Sequence, residues 1–209
     1  MLYLRHYFDF FLMQSIENKI EKAIKSKPRG VLLFTDDFIA YGSSKAIQKA
    51  LERLTNKGII TRVARGIFVR PVISEYIGRV LPTAEEVAQG IAKRDKIKIV
   101  PTGAHALNKL GLSTQIPLKL VYLTDGAPRE IEIGNRTIRL KKTTPKNLLA
   151  KGKISSLVIQ ALREIGPKGI TEDFECKIVE LLKKEERKAL EHDIPLAPVW
   201  IRKIMQKTL

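Results

Sequence analysis

The sequence predicts an α+β protein in three parts, and three observations carry that assignment. Residues 42–70 run helix, glycine, strand, basic turn, strand. Residues 72–143 alternate short helical and β-branched segments and close on a Gly134-Asn135 hairpin signal. From Thr144-Pro145 onward the apolar residues recur with helical spacing. A chain of 209 residues with 44% hydrophobic content is long enough for one large or two small cores. The expected boundaries are 13–71, 72–143 and 144–209, the last two also readable as one domain over 72–209.

The first twelve residues, MLYLRHYFDFFL, are aromatic-rich but lack the longer apolar core and the small terminal residues of a secretory signal. Translation is expected to begin at Met13, leaving residues 1–12 as an upstream extension; the rival reading is a packing arm or extra helix. Ser15 caps a helix running to about Lys27, with Ile16, Ile20 and Ile24 along one face. Pro28-Arg29-Gly30 breaks it. Val31–Phe34 is a short apolar run. Thr35 is the expected cap of a brief helix over 36–41, where Asp36 and Asp37 suit the positive end of the macrodipole better than they suit a metal.

Gly42 then makes the turn into the most informative helix. Ser43 or Ser44 caps it, and Ile47, Ala50, Leu51 and Leu54 form its apolar stripe. Gly58 closes it as a left-handed cap. Two β-branched runs, 59–63 and 67–69, flank Ala64-Arg65-Gly66 as a hairpin. This order is that of a recognition helix and wing in a winged helix-turn-helix. At about 100° per residue, Lys45, Lys49, Glu52 and Asn56 lie opposite the stripe, with Gln48 and Arg53 on its flanks. Ser43, Ser44, Lys45, Gln48 and Lys49 mix phosphate-binding cations with groups that read base edges, Arg53 stands beside them, and Arg62 and Arg65 occupy the wing. Glu52 is expected to pair with Lys49 rather than approach phosphates.

Charge supports a polyanionic partner. The net charge is +16, divided as +7 over residues 1–80, +6 over 81–150 and +3 over 151–209. A single cysteine, Cys176, excludes an intramolecular disulfide or a cysteine-based metal site and fits a reducing cytoplasm. No run reaches the ~18 apolar residues of a membrane-spanning helix.

Residues 72–81 read as a linker or a short helix. Thr83 to Glu86 is a capping box opening a helix over 84–93. Strands follow at 97–100 and 118–123, separated by a helix over 103–110, and the strands 130–133 and 137–140 turn at Gly134-Asn135, giving a sheet of about four strands. Beyond Pro145, helices are expected over 154–165, from Thr171 to about Lys184, and over 199–205.

Enzymatic parts are hard to find. Gly152-Lys153-Ile154-Ser155 lacks the upstream glycine and the Lys-Ser/Thr step of a phosphate loop. Glu175-Cys176-Lys177 has nuclease-like spacing with Asp125 as a conceivable partner, yet it falls in a helical segment. His105 reads as a hydrogen-bonded core histidine or a ligand, and His192 as a cation at a helix end. With no nucleophile–base pairing apparent, the expectation is a binding protein without catalytic residues, metal or cofactor.

The chain resembles the AbiEi-type antitoxins of abortive-infection systems over roughly residues 14–150. The resemblance rests on the Arg65-Gly66 hairpin with Phe68 and Pro71, on Pro101-Thr102-Gly103-Ala104-His105-Ala106-Leu107, and on Leu110-Gly111-Leu112-Ser113-Thr114-Gln115-Ile116-Pro117. The strand Val121-Tyr122-Leu123-Thr124 and the hairpin to Arg139 complete it. It implies a cytoplasmic bacterial autoregulator that binds double-stranded operator DNA, as a dimer or as paired monomers, and counteracts a cognate nucleotidyltransferase-type toxin. It supplies no catalytic motif and no membrane association. A one-component winged-helix repressor with a ligand-sensing middle domain is the alternative. A basic RNA-binding adaptor is a third, disfavoured by the scarcity of aromatics for stacking beyond residue 12.

Overall fold

A computed structural model describes residues 15–209, so the reading of residues 1–12 and of Met13 lies outside the described residues. The fold is mixed α+β with a helical C-terminus, and the described chain divides into two compact units, one ending at Val87 and one beginning at Ala88.

In the first unit, Ser15 Oγ accepts the Asn18 N–H and starts α1 (Ile16–Ser26). Strand β1 (Leu32–Phe34) leads into a 3-10 turn over Thr35–Tyr41. Its cap position is one residue earlier than the sequence suggests: Thr35 is already the first residue of the turn, and the Phe34 N–H before it donates back to Asp37 Oδ2 at 3.1 Å. Helix α2 (Ser44–Asn56) is capped by Ser43 Oγ, which accepts the Ala46 N–H. Strands β2 (Thr61–Ala64) and β3 (Ile67–Val69) form the hairpin. β2 begins two residues later than expected because the Ile59 N–H still bonds the Leu54 carbonyl and finishes the helix. The sheet order is β1-β3-β2, all antiparallel, with β3 in the middle. Ile20 and Ile24 of α1, Phe38, the α2 stripe, Ile60 and Phe68 close one buried core over it.

Residues 72–81 are neither a linker nor a helix. They form a second hairpin, β4 (Val72–Ser74) with β5 (Gly78–Val80). Ile73, Tyr76 and Ile77 on it are exposed, so the alternation that marks a half-buried strand is absent.

The Thr83 capping box is formed from both sides: the Thr83 N–H donates to Glu86 Oε2 (2.7 Å) and the Glu86 N–H to Thr83 Oγ1 (3.2 Å), opening α3 (Ala84–Asp95). The second unit holds a four-stranded sheet in the order β6 (Ile99–Pro101), β7 (Lys119–Thr124), β9 (Arg136–Lys142), β8 (Arg129–Ile133). Its central pair β7–β9 is parallel and the outer pairs are antiparallel. Leu120, Tyr122 and Thr124 alternate inward along β7, as period two demands. Helix α4 (Ala104–Lys109) places His105 edge-on against Tyr122, with ring centroids 5.1 Å apart, inside the core. Helices α5 (Lys153–Ile165), α6 (Glu172–Leu182), α7 (Arg187–Asp193) and α8 (Val199–Gln206) bury Val158, Leu162, Ile178, Leu182, Ile201 and Met205 together.

The first turn of α5 explains the phosphate-loop likeness. Its orphan N–H groups are already occupied by the protein's own carboxylates. The Lys151 and Gly152 N–H groups donate to buried Asp193 at 2.9 and 2.8 Å, the Ser155 hydroxyl donates to the same carboxylate, and the Ile154 and Ser155 N–H groups donate to Glu185 Oε2 at 2.6 and 3.0 Å. Gly152 is required by this closeness, since a Cβ there would stand 2.7 Å from Glu185 Cδ. His192 is not a free cation at a helix end: its Nδ1 lies 2.7 Å from Asp193 Oδ1.

Burial pushes the Asp193 carboxyl up, but hydrogen bonds from His192, Ser155 and the two backbone N–H groups outweigh it and hold the group below the ordinary carboxylate range. With a folded value below the unfolded one near 3.9, its stabilisation is full above about pH 4 and disappears as pH falls through the folded value. Asp193→Asn should therefore lower stability at pH 7 by on the order of 2–3 kcal/mol and flatten the acid limb of the stability profile. Urea midpoints at pH 7 and pH 3 check this; equal midpoints for both proteins at pH 7 would show the cap to be dispensable.

Candidate nucleic-acid interface

The three outward faces of α2 hold the residues singled out from the sequence, and the structure sorts them differently on each. On the crest, Ser44, Lys45 and Lys49 are exposed, and among the described residues Lys45 and Lys49 have no ion pair. Ser43 is exposed as well, but its hydroxyl is committed to the cap.

On the face toward α1, Arg53 and Lys57 both pair with Glu17, Arg53 at 3.4 Å and Lys57 at 2.5 Å. The Lys57 hydrogen bond, joined by Arg53, holds the Glu17 carboxyl below its usual range, and Glu17 in turn raises Lys57. Arg53 thus belongs to the packing of α2 on α1 more than to a free cationic surface. Nothing local in the sequence flags this, because the two partners lie 36 residues apart.

On the third face an open groove separates α2 from the β2–β3 hairpin. Gln48, Glu52 and Asn56 line one wall, Arg62 and Arg65 the other, and Asp36 of the 3-10 turn also reaches it. Gln48, Arg62 and Arg65 are therefore brought together as the sequence order implied. The Arg62 Nε donates to the Ala64 carbonyl at 3.4 Å, which turns its guanidinium along the hairpin. Arg65 sits at the exposed tip.

Glu52 departs from expectation. It forms no ion pair with Lys49 among the described residues and stands exposed in the groove. At positions i and i+3 the two side chains can meet, yet Lys49 lies on the crest while Glu52 turns toward the groove. The groove thus offers cationic, amide and carboxylate groups side by side, a set able to contact phosphates and to discriminate base edges.

The tip carrying Arg65 is fastened to the rest of the unit. The Thr35 N–H donates to the Gly66 carbonyl at 3.1 Å, and the Thr35 hydroxyl reaches the same oxygen at 3.4 Å. Gly66 itself has φ 73°, in the left-handed region.

The other motifs do not assemble into a second site of chemistry. Glu175 lies on α6 and pairs with Lys207, while Asp125 accepts the Lys98 N–H at 2.9 Å. Cys176 is exposed. Among the described residues no group of three or more His, Cys, Asp or Glu could hold a metal ion, and no helix is long and apolar enough to cross a membrane.

The chain belongs to the DUF6088 family, a family of unknown function, whose model matches residues 19–190. No curated protein matches it.

The left-handed turn predicts a local cost. Gly66→Ala should destabilise the protein by about 1–2 kcal/mol through its Cβ, read as a lower thermal midpoint. An unchanged midpoint would mean the hairpin tip relaxes without penalty.

Proposed function

We propose that this protein is a DNA-binding antitoxin whose first unit is a winged helix-turn-helix. It holds double-stranded operator DNA and represses its own operon. The observation that carries the reading is the groove in which Gln48, Arg62 and Arg65 converge, beside Lys45 and Lys49 on the α2 crest, which have no ion pair among the described residues. Its support is the order α1, β1, 3-10 turn, α2, hairpin, over a sheet in the order β1-β3-β2. In this reading α2 lies in the major groove, with Lys45 and Lys49 on phosphates and Gln48 at a base edge. Arg65 reaches the flanking backbone or minor groove. Two copies, as a dimer or as paired monomers, turn weak half-site contacts into tight occupancy.

The antitoxin role follows from the resemblance over residues 14–150. The protein counteracts a nucleotidyltransferase-type toxin and acts in the cytoplasm by binding rather than catalysis.

Gel-shift titration on the protein's own upstream region tests the DNA reading. Lys45→Ala/Lys49→Ala should lower the salt slope by about two, roughly one counterion per lysine. Binding no tighter than to random DNA would reduce the first unit to a protein-docking module. Co-expression with the adjacent gene tests the second role: relief of growth arrest by a neighbouring nucleotidyltransferase is expected.

Glu52 supplies a further prediction. A carboxylate in such a groove repels phosphate and accepts from a cytosine amino group. Glu52→Gln should therefore tighten binding to random DNA several-fold while narrowing the preference for the operator. A parallel change in both affinities would show that the carboxylate acts only through its charge.

A further inference from the structure

Residues 133–163 carry Arg136, Arg139, Lys141, Lys142, Lys146, Lys151, Lys153 and Arg163 without a single Asp or Glu. Arg139 is neutralised by Glu130 at 3.3 Å. The five lysines are exposed and have no ion pair among the described residues.

Arg163 is different in kind. It is half-buried on the last turn of α5, and its Nη1 donates to the neutral Asn147 Oδ1 at 2.6 Å. Among the described residues no carboxylate pairs with it, and burial pushes its pKa down. A guanidinium partly withdrawn from water without a counter-charge is an unfavourable arrangement that an oxyanion relieves.

The surroundings suit such an anion. Arg163 lines a recess with Lys146, Asn147, Ser156 and Gln160, and no carboxylate enters its wall. The wall is held in place: Asn147 Nδ2 donates to Thr143 Oγ1 at 2.7 Å, and Gln160, only 4% exposed, accepts from the Thr102 hydroxyl at 3.5 Å. Its interior, about 10 Å³, admits a single oxygen-sized group and no nucleoside.

We propose that this recess is a phosphate site through which the second unit holds a nucleic-acid backbone. One phosphate oxygen enters beside the Arg163 fork, and Lys146 and the neighbouring lysines extend the positive field along the polymer. A lone metabolite would engage few of the exposed lysines on the surrounding segment, whereas a chain of phosphates meets several. The site is independent of α2 and of the operator reading.

The test uses the full chain with Lys45→Ala/Lys49→Ala already in place, so that the two crest lysines of α2 no longer contribute. The probe is a duplex of random sequence, titrated at several salt concentrations. Residual salt-dependent binding is expected, and adding Lys146→Gln/Arg163→Gln should weaken it at least fivefold and lower the salt slope by about two. Loss of all binding in the starting background, or equal affinity and slope after the added pair, overturns the proposal.

Arg163→Gln also removes the bond to Asn147, so thermal midpoints are recorded for each variant. Lys146 makes no hydrogen bond or ion pair through its side chain among the described residues; Lys146→Gln alone must still lower the slope by about one. Inorganic phosphate is the second probe. It should raise the midpoint of the starting background and not that of the Arg163→Gln variant. Stabilisation by phosphate with no loss of duplex binding in the variants would identify free phosphate as the ligand and exclude the backbone.

Discussion

The second unit depends on a carboxylate that never meets solvent. Asp193 and the half-buried Glu185 together take the N–H groups of residues 151, 152, 154 and 155, so the start of α5 is fixed by residues some 30 to 40 positions further along the chain. The unfavourable element, an ionised carboxylate out of water, is offset by several charge-assisted hydrogen bonds and by the positive end of the α5 macrodipole. Once α5 is placed, Gln160 meets Thr102 next to β6, Arg163 meets Asn147, and the apolar side of the helix receives α6, α7 and α8. The same arrangement closes the helix N-terminus to outside anions. An anion arriving at the start of α5 finds these backbone N–H groups already taken.

In the first unit the corresponding constraint is the middle strand. β3 pairs with β1 on one side and β2 on the other, so the hairpin cannot swing away from the element that precedes α2. Thr35 adds a second fastening at the tip through the Gly66 carbonyl. Burial of the Ile47, Leu51 and Leu54 stripe then sets the rotation of α2, and that rotation decides which polar residues face the groove and which face α1. Arg53 and Gln48, equivalent as flanking positions on a helical wheel, acquire different roles because Glu17 stands on only one side.

Periodicity and capping chemistry are local, and where they governed, the sequence was readable apart from the cap expected of Thr35. Ser15, Ser43, Thr83 and Thr171 cap the helices expected of them, and Gly134-Asn135 turns β8 into β9. The β4–β5 hairpin was not legible, because a two-stranded ribbon with Ile73, Tyr76 and Ile77 exposed lacks a buried face to impose alternation. At the candidate site, the convergence of Gln48, Arg62 and Arg65 could be read from element order. The pairing of Arg53 with Glu17, the entry of Asp36 into the groove and the separation of Glu52 from Lys49 could not. The first two depend on side-chain direction across elements distant in sequence, and the third on the way α2 is rotated against the hairpin. The carboxylate cap of α5 was hidden because its partners, Glu185 and Asp193, lie 30 to 42 residues away in sequence.

The excess positive charge acquires meaning from its pairing more than from its sum. Arg53 and Lys57 face Glu17, Arg94 and Arg129 face Asp95, and Lys119 and Arg139 share Glu130. Burial pushes the Asp95 carboxyl up, and its two arginines more than reverse that. Such cations are consumed in holding elements together and present little field to a partner. Lys45, Lys49, Arg62 and Arg65 on one unit, and Lys141, Lys142, Lys146 and Arg163 on the other, have no carboxylate partner among the described residues. Self-repulsion within each group destabilises the isolated protein, and under the proposed function a polyanion converts that repulsion into binding free energy as condensed counterions are released. The presence of Glu52 within the first group and the absence of any acid in residues 133–163 separate the two surfaces in kind. Under the proposed function, the first surface discriminates as well as holds. The second sets neutral amides and a hydroxyl around one half-buried guanidinium, and under the proposed phosphate contact it holds without discriminating.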